Sequence, residues 1–345
     1  MSFNVLTLEQ RKEWDNIVMS FKEYDTYWLS GYAKAFKLHG DGNPLLLYYD
    51  NNKTRGINVV MKRDIAKDPS FDGKIREGEY YDLSTPYGYG GWLFEGDDIA
   101  DALNSYEEWA RTTGIVSEFV RFHPIIRNHE QVIGFYDVVR LGEVVHMDIS
   151  SSEILWANLT SKNRNMIRKA QKNGVKILHG RNAELFEEFR VIYNKTMDED
   201  AAGKYYYFKP EFYDSIVKDL PENSQVFYAE KNGEIISAAI FLIANGFMNY
   251  HLSGRRREYN NLAPSNLLLY EAGLWGCVSG YKTLYLGGGL GSARDNLFKF
   301  KKSFNRGEVR RFYIGKKIFD KNKYDMLVNI RGCDSDSNFF PKYRA

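Results

Sequence analysis

Residues 225–253 read QVFYAEKNGEIISAAIFLIANGFMNYHLS, and the fold follows from how this stretch is punctuated. Lys231-Asn232-Gly233-Glu234 and Asn245-Gly246 are tight turns, because Asn-Gly supplies the positive φ angles that an antiparallel reversal needs. They cut the stretch into three antiparallel strands, Gln225–Glu230, Ile235–Ala244 and Phe247–Ser253. Downstream, an arginine-rich loop leads into a helix over Pro264–Ser279, with proline near its start and Gly280 at its end. A strand at Thr283–Leu286 then runs into GGGLG, followed by a helix over Ala293–Phe304 and strands near Val309–Ile314 and Lys317–Phe319. Three antiparallel strands, a helix, a parallel-type strand, a helix and a final hairpin is not the Rossmann order.

Working outward, a strand at Val175–Leu178 and helices over Ala183–Met197 and up to Leu220 precede the meander. Before them comes a charged helix, Thr160–Asn173, closed by Asn173-Gly174. The amino-terminal half opens with helices near Leu8–Met19 and Trp28–Leu38. Strands follow at Pro44–Tyr49 and Gly56–Met61, joined by Asp50-Asn51-Asn52-Lys53. After a charged loop, Lys67–Glu79, the stretch YYDLSTPYGYGG (Tyr80–Gly91) mixes four tyrosines with four Gly/Pro residues and reads as loop for much of its length. A helix over Asp98–Thr112 and strands near Val116–Phe122 and Val144–Asp148 complete this half. The two halves share size and element order, so the expected division is 1–150 and 151–345, both α+β.

Composition agrees. A chain of 345 residues is about two domains long. With 43% hydrophobic and 27% charged residues it is neither disordered nor collagen-like. A net charge of +2 excludes a general polycation. Cys277 and Cys333 are too far apart for a CxxC metal pair and suit free thiols in a reducing cytoplasm. The opening MSFNVLTLEQRKEWD is charged by Glu9 and Arg11, so no secretory leader is expected. The strongest apolar run, Ala238–Ala244, falls far short of the roughly 20 residues a membrane span needs. The six histidines lack metal-ligand spacing, and neither GxSxG nor HExxH occurs, so metal-assisted and serine-nucleophile chemistry are not expected.

Several passages carry a family resemblance. They are Tyr250-His251-Leu252-Ser253-Gly254, Leu262–Ala272 (LAPSNLLLYEA), Gly280-Tyr281-Lys282, Leu286-Gly287-Gly288-Gly289 and Phe300-Lys301-Lys302-Ser303-Phe304. In order and spacing, from about Tyr193 to Phe319, they resemble the FemABX family, the aminoacyl transferases of peptidoglycan bridge synthesis, and its acetyltransferase-like relatives. Asn163–Ile177 (NRNMIRKAQKNGVKI) extends the match upstream. The resemblance implies two tandem GNAT-like (acyl-CoA N-acyltransferase) domains with mixed sheets flanked by helices. No heptad segment is present, which implies the arm-less type. It further implies a cytoplasmic enzyme that moves an aminoacyl or acyl group onto an amine of a cell-envelope precursor, without a covalent enzyme intermediate. No bound cofactor is implied; the co-substrate is aminoacyl-tRNA or acyl-CoA. Two alternatives stay open: acyl-CoA-dependent N-acetylation of an amino sugar or small amine, and a non-catalytic GNAT-like binding module.

The candidate residues follow. Leu297, Phe300, Lys301 and Phe304 share one helix face at i, i+3, i+4 and i+7. A lysine on such a face either snorkels to the rim or sits in a cleft. The resemblance implies the cleft, with Lys301 stabilising charge at the transferring carbonyl and Phe300 beside the substrate. Tyr250 matches a family tyrosine whose hydroxyl could protonate the leaving group or orient the acceptor; the residues alone favour a core tyrosine with a satisfied hydroxyl. Arg255, Arg256, Arg257 and Asn266 stand where a GNAT fold grips the donor's pyrophosphate. The segment RRREYNNLAPSN has no glycine after Gly254, however, which departs from the usual RxxGxG/A loop and argues for a tRNA-type donor over acetyl-CoA. A solvated basic loop is the competing reading.

Lys162–Arg181 carries seven basic residues and no acid, and Arg294–Lys317 carries nine against Asp295 and Glu308. A shared face would attract RNA backbone, as in a tRNA contact, although helical charge runs are commonly only solvated. The resemblance implies an acceptor held against the amino-terminal half and the cleft between the halves, where Asp82, Tyr87 and Arg121 are the candidates, arginine being suited to a carboxylate or phosphate. Lys204 falls where the arm-less type uses an arginine, and offers a point charge instead of a fork.

Overall fold

The chain opens with β1 (Ser2–Leu6), α1 (Arg11–Met19) and α2 (Ser30–His39), the last ending where Gly40 turns left-handed at φ 110°. The long strands β2 (Asn43–Asp50) and β3 (Arg55–Asp64) follow, then β4 (Tyr81–Ser84), β5 (Leu93–Glu95), α3 (Ala100–Thr112), β6 (Ile115–Arg121) and β7 (Asp137–Asp148). Two capped helices come next. Ser151 starts α4 (Ser152–Asn158) by accepting from Ile154 N–H, and Thr160 starts α5 (Ser161–Lys172) by accepting from Asn163 N–H. The protein is described here by a computed structural model covering residues 2–332 and 338–345, so Cys333 lies outside the described residues.

After β8 (Lys176–Gly180), α6 (Ala183–Glu199) and α7 (Pro210–Asp219) comes the expected meander: β9 (Ser224–Lys231), β10 (Glu234–Ala244) and β11 (Phe247–Arg255). Asn232, Gly233, Asn245 and Gly246 all take positive φ, as the two Asn-Gly turns require. The chain continues through α8 (Pro264–Val278), β12 (Thr283–Gly287), α9 (Asn296–Lys302) and β13 (Arg310–Ile318), and into α10 (Lys321–Arg331), which the sequence reading did not contain.

Two compact units result. The first comprises the residues up to Leu141 together with Phe312–Ala345, and the second Gly142–Arg311. In the first, strands pair in the order β1-β2-β3-β4-β6-β13, with β5 on β3; β4/β6 is parallel and the other pairings in this order are antiparallel. In the second the order is β8-β9-β10-β11-β12-β7, where β11/β12 is the parallel pair. Each unit is therefore mixed α+β, with the same sequence of pairings.

The division expected at 150/151 needs correcting, because the carboxy-terminal stretch belongs to the first unit. Val309–Ile314 and Lys317–Phe319 do not fold back as a hairpin. They form one strand, β13, with Ile314 opposite Arg121 and Gly315 opposite Val120. A Cβ at Gly315 would lie 2.7 Å from the Phe122 ring, so this glycine serves close approach to β6 and not a turn. The sixth strand of the second unit is supplied by β7 instead.

Phe227, Phe241, Met248, Leu268, Leu284 and Phe304 form part of the second unit's core. Fully burying each such side chain is worth about 1.5–3 kcal/mol. Gly276 lets α8 settle onto the sheet, since a Cβ there would fall 2.5 Å from Met248 Sδ. The first unit has its own core around Leu47, Val60, Trp92, Tyr106 and Phe122.

Candidate functional site

In the second unit the parallel ladder between β11 and β12 is short. It joins Phe247, Met248 and Asn249 to Thr283, Leu284 and Tyr285, and then stops. Beyond it β11 stays with β10, carrying an extra residue at His251, and β12 stays with β7, carrying an extra residue at Leu286. A bulge in each strand at the same level turns the two apart. Tyr250 is the first residue past the ladder on β11, and Gly287-Gly288-Gly289 follows directly on β12.

The glycines are there for space. Gly287 has φ +79°, and a Cβ on it would lie 3.3 Å from Lys301 Nζ. A Cβ on Gly288 would come within 2.8 Å of the Glu143 carbonyl oxygen, and one on Gly289 within 2.3 Å of Asp295 Oδ1. Asp295 is the N-cap of α9: Oδ1 accepts from Phe298 N–H at 2.8 Å and Oδ2 from Leu290 N–H at 3.1 Å. These backbone donors lower its pKa. The cap fixes where α9 begins, and so delivers Lys301 to the glycine turn.

Lys301 Nζ donates to the Gly288 carbonyl oxygen at 2.8 Å. The residue is only 9% exposed, and burial lowers its pKa to about 8, with the Asp295 carboxylate opposing the shift. An ammonium has three donors, so two remain for a ligand. Phe300 packs on the apolar core beside Phe304, ring centroids 5.4 Å apart. Tyr250 packs on the same core, its ring 5.6 Å from Phe241, and burial raises its pKa so that the phenol stays protonated. His251, next to it, is held neutral by burial, its pKa lowered to about 3.

The proposed phosphate grip is already engaged. Arg257 pairs with Glu199 and Asp200 at 2.8 Å each, Arg255 approaches Asp200 at 3.5 Å, and Arg256 lies 3.3 Å from Glu234 and donates to the Ile235 carbonyl. Asn266, in the first turn of α8, donates its amide to Asn163 Oδ1 at 2.8 Å. The acids from the end of α6 and Asn163 are residues the sequence reading missed; an Asp-Glu-Asp run at 198–200 was the available signal. Lys204 is exposed at the start of a short helical turn, Lys204–Tyr206.

In the first unit Asp82 needs a correction. It is fully buried, with Oδ1 accepting from Arg63 Nε at 2.7 Å and Oδ2 from Arg344 Nε at 2.9 Å, so no oxygen is left for an acceptor. Tyr87 is half-buried and stacks on Phe36. Arg121 is half-buried as well, its Nε donating to the Gly88 carbonyl at 2.9 Å. Among the described residues no cluster of His, Cys, Asp or Glu is arranged to hold a metal, and no helix is long and apolar enough to cross a membrane.

Residues 161–301 match the family model of the acetyltransferase (GNAT) domain, a span that opens at the first residue of α5 and closes on Lys301. No curated protein matches the chain. Among solved structures, FemX is similar over 94% of this chain and 99% of its own, at 15% identity and a TM-score of 0.68. A conserved protein of unknown function from Bacteroides thetaiotaomicron is similar over 92% and 100%, at 12% identity and TM-score 0.59. The C-terminal domain of a putative lysylphosphatidylglycerol synthetase from Agrobacterium fabrum covers 94% and 95%, at 13% identity and TM-score 0.56. At these identities the likeness is one of fold.

Proposed function

We propose that this chain, an acyltransferase by the GNAT domain of its second unit, moves an acyl group from an activated donor directly onto the amine of a cell-envelope precursor. The observation that carries the reading is Lys301, a nearly buried ammonium beside the parted strands with two donors to spare. In the reaction the acceptor nitrogen attacks the acyl carbonyl carbon, and the oxyanion that forms takes hydrogen bonds from Lys301 Nζ. Collapse breaks the bond to the leaving group, which takes a proton from the Tyr250 hydroxyl; the former amine loses one to solvent, and Tyr250 regains one from solvent.

Two observations bear on the donor. Arg255, Arg256 and Arg257 are occupied by carboxylates, which disfavours a pyrophosphate grip by them; the aminoacyl ester donor of the tRNA type rests on the FemABX resemblance. The GNAT match favours acyl-CoA, the second reading. The acceptor follows from the FemABX resemblance, with an amino sugar as the alternative. The test offers the purified chain labelled aminoacyl-tRNA and labelled acetyl-CoA in turn, each with an amine-bearing muropeptide precursor. We expect label in the amide product from one donor, lost in Lys301→Ala. No transfer from either donor, or full transfer by Lys301→Ala, overturns the reading.

A further inference from the structure

The shared order of pairings makes β4/β6 of the first unit the counterpart of β11/β12 in the second. In the second unit the parallel ladder ends at Asn249 and Tyr285 and the strands separate. In the first it ends at Ser84 and Phe119, but there the chain closes its own gap. Thr85 N–H donates to the Phe119 carbonyl at 3.1 Å, Gly90 N–H donates to the Arg121 carbonyl at 2.9 Å, and Gly90 bridges to Phe122. The strand gap of the first unit is thus bridged by its own backbone hydrogen bonds.

Register then identifies what stands at the equivalent place. Two residues past Tyr285 is Gly287, facing the Lys301 amine; two residues past Phe119 is Arg121. Its guanidinium is fixed from three directions. Nε donates to the Gly88 carbonyl, and the carbon at its centre lies 4.9 Å from the Phe312 ring centroid and 5.9 Å from that of Tyr89. The loop that supplies these contacts is itself anchored. Gly88 has φ +101°, and a Cβ there would fall 2.5 Å from the Tyr27 ring, so only glycine fits. The Tyr89 ring sits edge-on to His123, 5.7 Å away, and His123 is held by buried Asp25 at 3.0 Å.

No carboxylate pairs with Arg121 among the described residues, whereas in the same unit Arg55 and Arg63 each have one and Arg344 has two. A half-buried guanidinium without an anion carries a desolvation cost that a bound oxyanion offsets. With Nε spent, its two Nη groups present a parallel pair of donors, the geometry that grips a carboxylate or phosphate at two points. We propose that the counterpart of the acyl cleft in the first unit, its strand gap closed by backbone, is an oxyanion-recognition site centred on Arg121, whose guanidinium, set between the Tyr89 and Phe312 rings, holds the carboxylate or phosphate of an organic ligand. That this ligand is the acyl acceptor rests on the acyltransferase reading; the anion site itself does not.

The test titrates the full chain, without donor or acceptor, with inorganic phosphate and separately with acetate, against chloride at equal ionic strength. Readouts are the melting temperature and, for phosphate, the width of its phosphorus resonance. We expect one of the two anions to raise the melting temperature beyond chloride. Arg121→Gln should abolish that rise, and Arg121→Lys should weaken binding about tenfold, since an ammonium cannot grip at two points. Preference for acetate identifies a carboxylate, and preference for phosphate a phosphoryl group. No anion-specific effect in the wild-type chain, or undiminished binding in Arg121→Gln, overturns the proposal. Should Arg121→Gln fail to fold, the wild-type titration and Arg121→Lys decide. Because no turnover is read, failure here leaves the transfer assay standing, and failure of that assay leaves this site standing.

Discussion

The side-chain nitrogen of Lys301 and the carbonyl oxygen of Gly288 are 2.8 Å apart, in a hydrogen bond that joins α9 to the turn after β12. One neutral acceptor does not replace the hydration of an ammonium, and the pKa of Lys301 is accordingly lowered to about 8. The unfolded chain, with its lysine near 10.5, holds the proton more tightly than the folded one. Stability therefore rises as pH climbs from about 8 towards 10.5, and the penalty is present in full below about 8. Its size is on the order of 3 kcal/mol. Lys301→Met should be more stable than the wild-type chain near neutral pH, by up to about 2 kcal/mol once the orphaned Gly288 carbonyl is counted, with the gap closing in alkali. Urea unfolding across that pH range measures it, and a variant less stable at neutral pH would refute the account.

The same titration reaches the rate. If the ammonium is the form that holds the oxyanion, kcat falls above about pH 8 as Lys301 deprotonates. Lys301→Ala should lose about 100- to 1000-fold in kcat, the usual cost of one oxyanion donor. Lys301→Arg keeps its proton throughout, so whatever activity it retains should lack the alkaline limb. A limb that persists unchanged in Lys301→Arg would belong to the acceptor amine instead.

Gly289 is the tightest point of the turn. A Cβ there would lie 2.2 Å from the Ala293 carbonyl oxygen and 2.3 Å from Asp295 Oδ1. Gly289→Ala must push the cap of α9 aside, and we expect a loss of about 2 kcal/mol together with most of the activity. Gly203→Ala is the control, since a Cβ there meets nothing within 4 Å; it should change stability by less than about 0.5 kcal/mol. Equal effects of the two substitutions would show that the turn is not under this constraint.

How far the sequence reaches is visible in particular residues. The Asn-Gly pairs at 232–233 and 245–246, and Pro264 with Gly280 around α8, were legible because each sets its own backbone locally. Gly315 was not. As a lone glycine between polar and apolar residues it read as a hairpin turn, and its true role depends on Phe122 of another strand. Lys301 was legible as a lysine on an apolar face, but its acceptor is a backbone carbonyl, which no residue type announces. Arg255, Arg256 and Arg257 read as free cations because Glu199, Asp200 and Glu234 reach them only through the packing of α6 and the β9–β10 turn.

Asp82 gives the opposite prediction from the one its loop position invites. Its two oxygens are divided between Arg63 and Arg344, the latter 262 positions away, and none of its surface is exposed. Asp82→Asn leaves Arg63 without its anion and Arg344 with Asp68 alone, which should cost about 3 kcal/mol. The acceptor KM of the remaining folded enzyme should not move. A raised KM with unchanged stability would return Asp82 to the binding site.

Tyr250 separates the two donor readings. Burial keeps its phenol protonated well above neutral pH, so the hydroxyl is available as an acid at every working pH. A thiolate leaves without help, because a thiol ionises near pH 8.5, whereas an alkoxide leaving from an aminoacyl ester needs a proton as the bond breaks. Tyr250→Phe should therefore lower kcat about 100-fold with an aminoacyl ester donor and by less than about threefold with a thioester. Its melting temperature should stay close to that of the wild-type chain, since the ring keeps its contact with Phe241. Equal loss with both donors would mean that the hydroxyl orients the acceptor, and no loss with either would make Tyr250 a residue of the core.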